Sequence, residues 1–169
     1  MPEPTPQGPC VLLVEDMQNH AQSLIRLLRR EGYRVDTEMT AEGAVRAVKS
    51  TTYAAVLMDI ELDLGESDEP DSPVISNNTP PELAGLEVIR YIRTVLGMSD
   101  LPIVVVSGLD HHAFWDDLER ELRSDALHVA AIVVKPDGPK RVIQQLSLVT
   151  GWRGPMLAAF EQDEADSDN

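Results

Sequence analysis

YAAVLMDIEL, residues Tyr53 to Leu62, is an apolar run that stops abruptly at an acid. Tyr53 to Met58 reads as a short, fully buried strand, because it is apolar throughout and polar residues follow at once. Asp59 then stands where the strand leaves the sheet. In an open α/β sheet, ligands bind just outside the carboxyl ends of the strands. A carboxylate there is exposed enough to react and rigid enough to be aimed.

Three further runs end in the same manner. VLLVED, Val11 to Asp16, closes on two acids, and IVVVSG, Ile103 to Gly108, closes on a hydroxyl and a glycine. AAIVVKP, Ala130 to Pro136, delivers Lys135 just before a proline. Parallel strands put such ends on one edge, so Glu15, Asp16, Asp59, Ser107 and Lys135 can meet there. Three crowded carboxylates repel and raise one another's pKa. A hard divalent cation relieves that repulsion, and oxygen ligands suit Mg²⁺.

The stretches between these runs read as helices and one more strand. Ala21, Leu24, Ile25 and Leu28 give a helix from about Met17 to Arg30 one apolar stripe, and Gly32 stops it. Tyr33 to Met39 is a short strand. Thr40 can cap a helix whose inward face is Ala41, Ala44, Val45 and Val48. Thr79-Pro80-Pro81-Glu82 resembles a capping box with Pro at the first helical position; its helix runs to about Leu96, with Val88, Ile89, Ile92, Val95 and Leu96 inward. Another helix, about His112 to Arg123, aligns Phe114, Leu118 and Leu122. Asp137 can cap a last one, about Pro139 to Val149. Five strands alternating with five helices predict an α/β fold, a flavodoxin-like doubly wound parallel sheet in the order 2-1-3-4-5.

The 169 residues suit one domain. The net charge of −15 argues against direct binding to nucleic acid. Cys10 is the single cysteine, which excludes an intrachain disulfide and paired-cysteine metal motifs. No secretory pattern is visible and no apolar run approaches membrane-spanning length, so the expectation is a cytoplasmic protein without membrane insertion. Residues 1–9, with four prolines, read as an irregular arm. Asp63 to Pro80 is polar and proline-containing and reads as a long loop. The end of the chain, 151–169, is acidic and is expected to be disordered, although GWRGPMLAAF within it can also dock.

Taken in order, VLLVED, VLMDIEL, VVVSG and VVKP, together with AGLEVIRYIR, resemble the receiver domain of bacterial two-component response regulators. The resemblance covers about Val11 to Thr150, and it makes 10–150 the domain, with 63–80 as an insertion. It implies that Asp59 is a phosphoacceptor served by a histidine kinase or phosphotransfer protein. Asp16 would be a direct Mg²⁺ ligand, Glu15 an outer one acting through water, and the Glu61 backbone carbonyl a further ligand. Ser107 would be the switch hydroxyl and Lys135 the partner of the phosphoryl group. The expected role is a stand-alone receiver acting by phosphorylation-dependent binding or phosphorelay, and not an enzyme. The alternatives are a metal-dependent phosphatase with an aspartyl-phosphate intermediate, and a scaffold independent of phosphorylation.

Blander readings stand beside these. Lys135 can be a solvent-facing lysine, Ser107 a turn residue and Asp16 a helix cap. His111 and His112 are read as surface residues, since adjacent helical side chains diverge. Trp115 fits a core edge or a binding face equally. Ile132 occupies the place where the family carries its switch aromatic.

Overall fold

The computed structural model describes residues 8–65, 78–108 and 113–167. Five parallel strands form one sheet in the order β2-β1-β3-β4-β5. They are β1 Cys10–Val14, β2 Arg34–Glu38, β3 Ala55–Met58, β4 Ile103–Ser107 and β5 Ala131–Val134. In register, Val14 lies beside Met58, Met58 beside Val105, and Ser107 beside Val134. The acid, hydroxyl and lysine ends therefore share one edge, as the sequence predicts.

The apolar runs are buried because helices cover both faces. α2 Ala41–Ser50, α3 Ala84–Arg90 and α4 Trp115–Leu122 pack on the face of Leu12, Val14, Val56, Met58 and Val105. α1 Gln18–Arg30 and α5 Gly138–Thr150 pack on the face of Val11, Leu13, Leu57, Val104 and Val133. Trp115 takes the core-edge role, half-buried against the first face, and Ile132 is also partly buried against that face. Among the described residues no helix is long and apolar enough to cross a membrane.

Local chemistry agrees with expectation at α2, where the Gly43 N–H donates to Thr40 Oγ1 at 3.0 Å. It departs elsewhere. Pro80, not Thr79, takes the N-cap position of the third helix; Pro81–Leu83 is a 3₁₀ turn with no side-chain cap, and the α-helix begins at Ala84. That helix ends in a π turn, Tyr91–Val95, closed by the Leu96 N–H on the Tyr91 carbonyl. The wider turn changes the helical phase, so Val95 faces out, 60% exposed, rather than inward. Asp137 makes no side-chain cap; a 3₁₀ turn, Lys135–Asp137, leads into Gly138 at φ +78° instead. Helix α4 starts at Trp115, with an exposed Phe114 before it, and His111 and His112 lie outside the described residues.

Most of the insertion, 66–77, also lies outside the described residues. Its ends are fixed. The Leu62 N–H donates to the Pro81 carbonyl at 3.0 Å, and the Asp63 and Leu64 carbonyls accept from Ala41 and Glu42. The chain thus leaves and returns through one neck beside the start of α2.

The end of the chain corrects the expected disorder. Pro155–Ser167 forms a sixth helix, α6. Its anchor is Glu31, only 1% exposed at the end of α1, whose carboxylate accepts the Met156 and Leu157 N–H groups at 2.8 and 3.1 Å. The Trp152 indole donates to the Glu31 carbonyl at 2.8 Å, and Leu157 is buried. Composition alone misses this because the acids lie on the outer turns, while one buried leucine and one capping carboxylate hold the inner one.

Glu31→Ala is expected to strand buried N–H donors and to cost about 2 kcal/mol. For a chain of this size that lowers Tm by roughly 4–8 °C. Thermal unfolding followed by circular dichroism checks this, and an unchanged Tm would show that the contact contributes nothing.

Candidate functional site

Each functional side chain is aimed by the element that carries it. Glu15 and Asp16 leave β1, Asp59 leaves β3, and Lys135 leaves β5. One oxygen from each of Glu15, Asp16 and Asp59 lies within 4.8 Å of the others. Glu15 and Asp59 are 2% and 4% exposed, and Asp16 is half-buried. Lys135 Nζ closes the cluster at 2.6 Å from Asp59 Oδ2 and 3.0 Å from Glu15 Oε2.

Backbone groups hold the remaining oxygens. The Met17 N–H donates to Glu15 Oε1 at 3.0 Å, the Glu61 N–H to Asp59 Oδ1 at 3.3 Å, and the Asp63 N–H to Asp16 Oδ2 at 3.2 Å. The neck of the insertion thus positions Asp16. The Glu61 side chain itself is exposed. Behind Asp59 the packing is closed: a Cβ on Gly85 would stand 2.0 Å from the Asp59 carbonyl oxygen, and the Gly85 N–H donates to Ile60 at 2.8 Å. Only glycine allows α3 to press so close to the turn that carries Asp59.

Burial dominates the electrostatics. It pushes the Asp59 pKa up to about 7; the Lys135 hydrogen bond opposes it and the Glu15 charge adds to it. Asp16 is also raised, first by burial, against the Asp63 N–H. Burial alone would lower Lys135, but its hydrogen bonds and charge pairing with Asp59 and Glu15 win and raise it. Such a set of oxygen donors, negative in excess of the single ammonium, fits a hard divalent cation.

Every candidate from the sequence reaches this edge. Glu15, Asp16 and Asp59 are in mutual reach, Lys135 pairs with Glu15 and Asp59, and Glu61 touches Asp59 through its backbone. Ser107 ends β4 in register with Val134, the residue before Lys135, and is fully buried. Sequence reasoning missed His20. It stands in the first turn of α1, with Nδ1 at 3.4 Å from Lys135 Nζ and 4.0 Å from Glu15 Oε2. Its place in the first turn of the helix that follows Glu15 and Asp16 was the available signal.

No family model matches the chain. Curated relatives do. The cell cycle transcriptional regulator CtrA of Caulobacter vibrioides is 29% identical over 98 residues, 58% of this chain and 34% of CtrA. The response regulator ArlR of Staphylococcus aureus is 29% identical over 98 residues, 58% of this chain and 35% of ArlR. The chain thus spans about a third of the length of these relatives. Among solved structures, the response regulator TrrA of Thermotoga maritima, in complex with Mg²⁺ and BeF, matches with a TM-score of 0.61 and 26% identity over 83% of this chain and 98% of that one. The receiver domain of the sensor histidine kinase PA1611 of Pseudomonas aeruginosa, with magnesium in its active-site cleft, shares the fold, with a TM-score of 0.63 and 23% identity over 85% of this chain and 98% of that one.

The raised Asp59 pKa fixes a pH dependence. Between the ordinary carboxylate range near 4 and about 7, the folded state holds a proton on Asp59 that the unfolded state has released. Stability contributed by the neutral carboxyl is therefore lost as pH rises through that window. Asp59→Asn removes this cost, which is on the order of a few kcal/mol. Without added metal, its Tm is expected to exceed the parent's at pH 8, with the gap at least halved at pH 5. Thermal melts at both pH values check it, and a gap that widens at pH 5 contradicts the assignment.

Proposed function

The chain carries a receiver domain of the response-regulator kind, and we propose that Asp59 is its phosphoacceptor. An Asp59 carboxylate oxygen attacks the phosphorus of a phosphohistidine on a histidine kinase or phosphotransfer protein. The phosphorus–nitrogen bond breaks, and the imidazole leaves with a proton from solvent. A carboxylate is a competent nucleophile for such a covalent step.

One observation carries the reading: a buried carboxylate held by an ammonium on one oxygen and a backbone N–H on the other, with two further acids beside it. Phosphoryl transfer depends on positioning and on neutralising the charge of the transferring group. A magnesium ion held by Asp16, Asp59 and, through water, Glu15, with the Glu61 carbonyl as a further ligand, would supply part of that neutralisation. Lys135 supplies the rest. Once its Asp59 oxygen is bonded to phosphorus, the ammonium pairs with the phosphoryl oxygens. The Ser107 hydroxyl, on the neighbouring strand end, is the group that answers the new charge, and the output is phosphorylation-dependent protein binding or phosphorelay. With Ile132 on β5, no aromatic ring turns there.

The phosphatase alternative asks for a second catalytic acid two residues beyond the nucleophile. Glu61 holds that place, but its side chain is exposed and its backbone N–H, not its carboxylate, meets Asp59. This favours signalling over turnover.

With Mg²⁺ and a small phosphoryl donor, intact-mass spectrometry is expected to find one phosphoryl group on the parent and none on Asp59→Asn. Asp16→Ala is expected to lose Mg²⁺-dependent labelling, whereas Lys135→Ala keeps Mg²⁺ binding but labels more slowly by about tenfold or more, a barrier of roughly 1.4 kcal/mol. Parental labelling of Asp59→Asn would remove Asp59 from the role.

A further inference from the structure

We propose that His20 is a positioning residue, which from the first turn of α1 holds the Lys135 ammonium in line for the phosphoryl group that Asp59 receives. That role rests on Asp59 being the phosphoacceptor; the hold on Lys135 does not. A protonated lysine offers three N–H donors and no acceptor. Lys135 Nζ is faced by three atoms: Asp59 Oδ2 at 2.6 Å, Glu15 Oε2 at 3.0 Å and His20 Nδ1 at 3.4 Å. Three partners thus stand against three donors. Facing an ammonium, Nδ1 can only accept, so the ring proton sits on Nε2.

The backbone puts the ring there. α1 starts after Met17, whose side chain makes no cap and whose N–H donates to Glu15 Oε1 at 3.0 Å. The other oxygen of that carboxylate, Oε2, faces Lys135. One buried acid therefore ties the start of α1 to the lysine, and His20 falls beside the ammonium. Glu15 and Asp59 are 2% and 4% exposed, whereas His20 is 48% exposed. The two acids grip the ammonium from inside the site, and the ring grips it from the rim.

The transfer step is where a third contact matters. Once the Asp59 oxygen is bonded to phosphorus, the shortest of the three contacts is given up, and a flexible four-carbon chain has other rotamers to fall into. Glu15 alone would draw the ammonium back towards the buried wall. The contact at the rim keeps Nζ where the phosphoryl oxygens arrive, and charge fixed in advance is what phosphoryl transfer uses. An imidazole accepting through Nδ1 carries no charge. It orients the ammonium without cancelling it, which a further carboxylate in the same place would do.

The rate at which acetyl phosphate labels the full chain at saturating Mg²⁺, followed by intact-mass spectrometry, tests the role. His20→Ala is expected to slow labelling by about fivefold or more. His20→Asn, whose amide oxygen takes the place of Nδ1, is expected to label within about twofold of the parent. In a Lys135→Ala background, His20→Ala is expected to cost less than about twofold further, because the ammonium it acts through is gone. A second measurement needs no phosphorylation. In the nuclear magnetic resonance spectrum, the two Hε protons of Lys135 are expected to resolve in the parent and in His20→Asn and to merge in His20→Ala. A His20→Ala rate within about twofold of the parent, no rescue by His20→Asn, or an undiminished cost in the Lys135→Ala background each overturns the role. Signals that merge in His20→Ala while the parent takes no label sink the phosphoacceptor and leave the hold on Lys135 standing. A labelled parent whose Lys135 signals are the same in His20→Ala sinks the hold alone.

Discussion

The ammonium of Lys135 is what lets the acids at this sheet edge coexist. Glu15 and Asp59 are almost wholly buried and Asp16 is half-buried, so each charge is partly stripped of water and feels the others strongly. A single mobile cation at 2.6 and 3.0 Å offsets two of the three. The offset is incomplete, since Asp59 still has its pKa pushed up to about 7. An under-compensated acidic site has affinity for more positive charge, which is the property that a metal-assisted phosphoryl site requires.

That tension is held by backbone more than by side chains. The N–H groups of Met17, Glu61 and Asp63 each fix one carboxylate oxygen, and Gly85 brings α3 against the turn that follows Asp59. Because these donors belong to strand ends and to a closed neck, they are already in place before charge on the site changes. Preorganised dipoles of this kind are worth more than the same groups on free loops.

The sheet and its reactive edge were legible because apolar runs of strand length ending in Asp16, Asp59, Ser107 and Lys135 encode both the layers and the edge. What escaped was decided by tertiary geometry. Val95 points outward because one π turn shifts the phase, and no periodicity argument contains that turn. Arg93, a charged residue on an apparent surface helix, is buried because its guanidinium donates to the Leu127 and Met98 carbonyls, which lie far from it or beyond the helix end. His20 reached the site through the orientation of α1, and α6 was hidden by its own acidic composition.

Two buried carboxylates, Glu31 and Asp59, separate structure from chemistry in this fold. Burial alone does not distinguish them, since both are nearly inaccessible. What differs is what satisfies them. Glu31 is held by the N–H groups of Met156 and Leu157, which belong to a helix end and cannot leave without unwinding it. Asp59 is held on one oxygen by an ammonium at the end of a four-carbon chain, which can be exchanged for another cation or another bond at little cost to the fold. A buried acid closed by backbone is a fastener. A buried acid closed by a replaceable charge, at an edge where four strands deliver polar groups, is suited to chemistry rather than to fastening.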